Sequence, residues 1–158
     1  HTVRPMAPRF VVPYRTSGKR AKNDKADAAA ICEAVQRPNM RFVPVKTELA
    51  QARLAVHTVR QGLVAGRTAT INRLRGVLSE FGQVMPKKAS SVRLEAATRA
   101  EGLPQWALTA CMDLLGEIRR LDEQIAAYDQ HIRQMAQADD RSKRLMGMPG
   151  IGPTTASA

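Results

Sequence analysis

Asp24 and Asp27 are the residues whose type and spacing most directly suggest chemistry. They stand in Lys22-Asn23-Asp24-Lys25-Ala26-Asp27, at what reads as the start of a helix. Three-residue spacing there puts both carboxylates on one helix face. Two carboxylates so placed can hold a hard divalent cation such as Mg2+, which prefers oxygen and often takes only one or two carboxylates beside water and phosphate. Such an ion polarises a phosphoryl oxygen and activates an attacking group. The same two side chains can equally cap a helix and complement its dipole. Spacing alone leaves both readings open.

The surroundings are basic. The formal net charge is +11 and is unevenly distributed. Residues 1–23 carry six bases and no acid, residues 47–90 seven bases and two acids, and residues 104–158 six bases and seven acids. A one-sided excess of this kind is the footprint of a polyanion partner, nucleic acid first. The candidate contacts are Lys19, Arg20 and Lys22 in a polar loop, Arg53, Arg60 and Arg67 at seven-residue spacing with His57 among them, and Arg73 and Arg75 beyond. A basic stripe suits a phosphate backbone, and it suits a solvated helix face as well. A second candidate is Met148-Pro149-Gly150-Ile151-Gly152-Pro153. A short helix, a Pro-Gly-x-Gly turn and a helix opening at Pro153 form the pattern of a helix–hairpin–helix. There Gly150, Ile151 and Gly152 would bring backbone N–H groups close to a phosphate. The alternative is a plain glycine-rich turn.

Elements must hold these groups in place. His1–Arg4 and Arg41–Val45 read as short extended segments, and Pro5, Pro8 and Pro13 allow only a short helix near Arg9–Tyr14. Asp24–Gln36 reads as a helix capped by Asp24. Thr47–Phe81 reads as one long helix stopped by Gly82, with a kink or break expected near Gly66 and Thr70. Ser91–Ala100 and Asp139–Met146 read as shorter helices. In Gln105–Gln137 the series Cys111, Ile118, Ile125, Ile132 and the series Leu114, Leu121, Tyr128, Met135 form an a/d heptad, the pattern of a coiled coil or of a helix inside a bundle. A hairpin with the Thr47–Phe81 helix and dimerisation through the same seam both satisfy it.

Composition narrows the classes. Aromatics are 4% of the chain, too few for a large β-sandwich or barrel. No apolar run is long enough for a membrane span, and no signal peptide is visible. Cys32 and Cys111 make neither a disulfide framework nor a zinc site, and read as small buried thiols in a reducing cytoplasm. The chain begins at His1 in what reads as a strand and stops as a helix begins, so an internal piece of a longer protein is expected.

Lys22-Asn23-Asp24-x-x-Asp27-Ala28, then Ala30-Ile31-Cys32-Glu33-Ala34 and Arg37-Pro38-x-Met40-Arg41-Phe42-Val43-Pro44-Val45-Lys46, closely resembles the insertion-sequence 110 (DEDD) transposase family. The resemblance continues through Arg67-Thr68-Ala69, Asn72-x-Leu74-Arg75-Gly76 and Glu80-Phe81-Gly82 to Pro149-Gly150-Ile151-Gly152-Pro153. It implies a mainly α chain in three parts. Residues 1–46 would end an α/β RNase H-like (RuvC-type) domain, residues 47–138 would form a helical coiled-coil region, and residues 139–158 would open a C-terminal transposase domain with a helix–hairpin–helix. It implies that Asp24 and Asp27 are the last two of four catalytic, Mg2+-binding acids. The other Asp and Glu would lie upstream of His1 and a nucleophilic Ser beyond Ala158, so that Ser157 would not be that Ser. The implied activity is Mg2+-dependent DNA cleavage and strand exchange by a cytoplasmic, nucleoid-associated bacterial enzyme. The implied partners are DNA, a structured guide RNA and further copies of the chain through the coiled coil, with no membrane. A non-catalytic helical nucleic-acid-binding module and a coiled-coil assembly module are the competing readings.

Overall fold

The computed structural model describes residues 3–15 and 24–158, and the chain divides into two compact units, residues 1–48 and 49–158.

In the first unit, α1 (Pro8–Val11) runs into a 3-10 turn (Val12–Tyr14), and both pack on α2 (Asp24–Val35). Small side chains allow the close approach, since Ala30 and Ala34 are the buried residues of α2. Asp24 is the first residue of α2 rather than its cap. Arg37 pairs with Glu33 one turn back and lays its guanidinium over the Tyr14 ring, 5.5 Å from the centroid. The expected extended segments reduce to one antiparallel bridge between Met6 and Phe42, beside an N–H of Val43 that donates to Pro5 O at 2.8 Å. Pro5, Pro8 and Pro44 each lack the N–H that a ladder would use. No strand forms among the described residues, while His1 and Thr2 lie outside them. Cys32 is exposed, which corrects its reading as a buried thiol, and Cys111 is buried as expected.

The second unit is helical throughout: α3 (Glu48–Glu80), α4 (Ala89–Ala100), α5 (Gln105–Ala138), α6 (Asp140–Met146) and α7 (Pro153–Ala156). α3 does not break at Gly66. The helix continues through this point, where Thr70 Oγ1 donates back to Gly66 O at 3.0 Å and the Ile71 side chain enters the core. It ends as Gly82 predicts. Gly82 takes φ 73°, its N–H reaches Ser79 O and the N–H of Gln83 reaches Leu78 O, both at 2.9 Å, a Schellman closure that satisfies the last carbonyls.

α3 and α5 run antiparallel, as shown by the pairing of Arg60 with Asp129 and of Arg67 with Asp122. Toward the α3–α4 end, Ile71, Leu74 and Leu78 meet Val92, Ala96 and Ala100 of α4 and Cys111, Leu115 and Ile118 of α5 in one core cluster. On α5 the buried line is Cys111, Leu115, Ile118, Ile125, Ile132 and Ala136, with Leu121 beside it, while Leu114, Tyr128 and Met135 are only half-buried. The inward line therefore lies one residue round from the expected second series, on positions 115, 122, 129 and 136. Two of these are Asp122 and Asp129, which an apolar template passes over. No described helix is long and apolar enough to cross a membrane.

Full burial of Leu78 against 80% exposure of Leu94 makes a direct comparison. Leu78→Ala should cost about 3 kcal/mol of unfolding free energy, and Leu94→Ala less than about 0.5 kcal/mol, in urea titrations followed by circular dichroism. Equal losses would contradict this placement of the core.

Candidate functional site

Asp24 is exposed and Asp27 half-buried, both on the first turn of α2. Asp27 Oδ1 lies 2.8 Å from Arg15 Nη2, yet this oxygen is out of solvent and has no aligned hydrogen bond. An under-satisfied carboxylate oxygen, with a second carboxylate three residues earlier on the same helical turn, offers oxygen donors of the kind a hard cation takes. Among the described residues no cluster of three acidic, His or Cys side chains that could hold a metal ion forms. Lys19, Arg20 and Lys22 lie outside the described residues.

The arginine stripe of α3 faces α5. Arg60 Nε donates to Asp129 Oδ1 at 2.6 Å, Arg67 Nη1 to Asp122 Oδ1 at 2.9 Å, and Arg53 Nη1 lies 3.5 Å from Asp139 Oδ2. Arg93 of α4 takes the other oxygen of Asp122 at 2.6 Å, so this carboxylate ties three helices together. Burial pushes the Asp122 carboxyl up, but the hydrogen bonds and charges of Arg67 and Arg93 outweigh it and hold its pKa below the ordinary value. Sequence reasoning missed Asp122 and Asp129. The signal was present: two acids seven apart, matching the seven-residue spacing of Arg60 and Arg67. Arg75 is also occupied, with its guanidinium bonding Asn72 Oδ1 at 3.2 Å, Pro86 O at 2.9 Å and Lys87 O. It anchors the loop that leaves Lys87 and Lys88 exposed, and Arg73 stands exposed on α3.

At the far end of the hairpin a polar clasp holds α6 and α7. The buried Ser142 hydroxyl lies 2.8 Å from Asp139 Oδ2 and 3.0 Å from Ala156 O. The hydrogen bond from Ser142 lowers the Asp139 pKa, burial opposes it, and the charge of Arg53 and the N–H groups of Ser142 and Arg141 add to the lowering. Ser157 Oγ donates to Pro153 O at 2.7 Å, which leaves Nε2–H of His57 to donate to Ser157 Oγ across 3.2 Å. These two contacts hold α7 against α3. Between α6 and α7, Gly150 takes φ 84° with open space beside its α-carbon. In this turn Pro149, Gly150 and Gly152 are exposed and Ile151 is half-buried.

The family model of the insertion-sequence 110 DEDD transposases, described as Transposase, matches residues 1–83. The chain belongs to this family. It is 42% identical to the "Probable family 20 transposase" of Pseudomonas aeruginosa over the whole chain and 47% of that relative. It is 37% identical to the transposase for insertion sequence element IS1328 of Yersinia enterocolitica, over 99% of this chain and 46% of the relative. It is also 37% identical to the transposase for insertion sequence element IS1111A of Coxiella burnetii, over 96% of this chain and 42% of the relative. The chain thus spans less than half the length of these curated relatives. No solved structure matches.

The lowered pKa values of Asp122 and Asp139 give this transposase-family chain an acid-sensitive fold. A carboxylate whose folded pKa lies below its unfolded value contributes stability that is full above the unfolded value, and that is lost as pH falls through the folded one. Unfolding free energy should be level from about pH 5 to pH 8 and should drop below about pH 4. Asp122→Asn should flatten that drop in urea titrations at each pH. An acid limb unchanged by the substitution would show that other carboxylates carry it.

Proposed function

We propose that this chain contributes part of the active site and the helical scaffold of an insertion-sequence DNA transposase acting by Mg2+-dependent cleavage and strand exchange. The observation that carries the reading is the Asp24–Asp27 pair on the first turn of α2, with the under-satisfied oxygen of Asp27, in a chain of this family. In the proposed arrangement the two carboxylates offer oxygens to Mg2+, and the remaining Asp and Glu and the nucleophilic Ser come from parts of the transposase this chain does not span. Bound there, Mg2+ would polarise a phosphodiester and neutralise developing charge.

The protein's own part is to hold DNA and the acids in place. Lys19, Arg20, Lys22 and Arg73, with Lys87 and Lys88, are proposed to meet phosphates, and the exposed Gly150–Gly152 turn is proposed as a helix–hairpin–helix contact that positions without reading sequence. Arg53, Arg60, Arg67 and Arg75 have internal partners. A phosphate contact at any of them must share or break an existing bond, so their first role in this proposal is to build the hairpin. A coiled-coil geometry for α3 and α5, a guide RNA, and self-association complete the reading. Because ion pairs set α3 against the Asp122 and Asp129 face of α5, self-association would use the outer surface, where Trp106 is 88% exposed.

Salt titration of binding to one duplex and one structured RNA tests this. Log affinity on duplex DNA should fall linearly with log salt, by roughly 0.9 per phosphate neutralised. Arg73→Glu should flatten the slope. Gly150→Val, which removes no charge but forces a β-branched side chain to positive φ, should weaken binding at a nearly unchanged slope. Salt-independent binding would overturn the DNA reading. The chain alone should not cleave DNA, and robust Mg2+-dependent cleavage abolished by Asp24→Ala would contradict the division of the site between segments.

A further inference from the structure

The contact between Arg15 and Asp27 joins the 3-10 turn to α2, and both side chains are about one-third exposed (34% and 33%). Asp27 Oδ1 has given up water, and its 2.8 Å approach to Arg15 Nη2 is not an aligned hydrogen bond. The contact is therefore charge neutralisation rather than the forked pairing an Arg makes when it locks a carboxylate. A cleft of about 350 Å3 opens beside the pair, with Arg4 on its wall together with Arg15 and Asp27, among the apolar Met6, Val11 and Ile31.

We infer that Arg15 is the resident counter-charge of Asp27, and that a divalent cation loads onto Asp24 and Asp27 only by displacing the Arg15 guanidinium. This rests on the metal-binding reading of the two acids. Arg15 is permanently charged, and a guanidinium and a divalent cation cannot share one carboxylate oxygen without strong mutual repulsion. The pair is weak enough to be displaced, because both side chains are partly exposed and the contact is imperfectly aligned. The main chain need not move. The N–H of Arg15 stays bonded to Val12 O at 3.2 Å, and Tyr14 stays under the Arg37 guanidinium. A freed Arg15 swings into the cleft, where its planar fork and Arg4 make the wall cationic and receptive to a phosphate oxygen.

Mn2+ alone is the probe, its binding to the 158-residue chain read by electron paramagnetic resonance at fixed ionic strength. Circular dichroism checks that each variant keeps its helix content. Arg15→Ala should bind Mn2+ about three-fold tighter than the native chain, the ratio expected for losing one weak ion pair. Arg15→Lys, which keeps the charge, should stay close to native. Arg9→Ala removes the same charge from the neighbouring helix and should also stay close to native. If Arg15→Ala is no tighter than Arg9→Ala while Asp27→Asn loses binding, the counter-charge inference falls and the metal reading stands. If Asp24→Asn and Asp27→Asn bind Mn2+ as the native chain does, the metal reading falls and the inference with it. If neither the native chain nor Arg15→Ala binds Mn2+, the counter-charge inference falls, since removing the guanidinium has opened no site.

Discussion

The second unit depends on ion pairs between two long antiparallel helices. α3 and α5 have 33 and 34 residues, and many registers would let apolar side chains touch. The core cluster fixes one end, where Leu74 and Leu78 are fully buried. Along the rest, Arg60 and Arg67 meet Asp129 and Asp122. A slip of one heptad breaks both of these pairs and sets Arg67 against Leu115 or Arg60 against Ala136. Pairs of this exposure add little net stability. The apolar residues supply the energy, and the charges select the register.

From that register follows the position of everything at the far end. Arg53 reaches Asp139, which accepts from Ser142, and Ser142 also reaches Ala156 O. His57, one turn on from Arg53, meets Ser157. The glycine turn between α6 and α7 is therefore seated on this end of the hairpin by those contacts, and any contact it makes with a partner is positioned by the α3–α5 pairing. The net charge of +11 changes meaning as well, since part of the basic excess of α3 is spent on the acids of α5.

Helix positions were readable because period and punctuation agreed. Gly82 ends α3 by a positive-φ turn that glycine adopts without strain, and the Ile series of α5 is buried where Ile118, Ile125 and Ile132 predict. The half of the seam made of Asp122 and Asp129 was not readable, because an apolar template counts a charged residue as outside. Gly66 and Thr70 suggested a break that does not occur, since weak local propensity yields to the Arg67 pair and the Ile71 contact on either side. At the acids, spacing identified Asp24 and Asp27, but no local signal pointed to Arg15, whose approach to Asp27 depends on how the preceding turn folds onto α2.

The central claim, that the arginine stripe builds the hairpin, is tested most directly by a charge-exchange cycle at Arg60 and Asp129. Unfolding free energy and the salt dependence of DNA binding are measured on the same four proteins. Arg60→Asp and Asp129→Arg alone should each lose about 1 kcal/mol. The double exchange should recover most of that loss and should bind DNA with the native salt slope. A double exchange that stays as unstable as the singles, or a slope that falls in Arg60→Asp with no loss of stability, would contradict the account and return the stripe to the DNA.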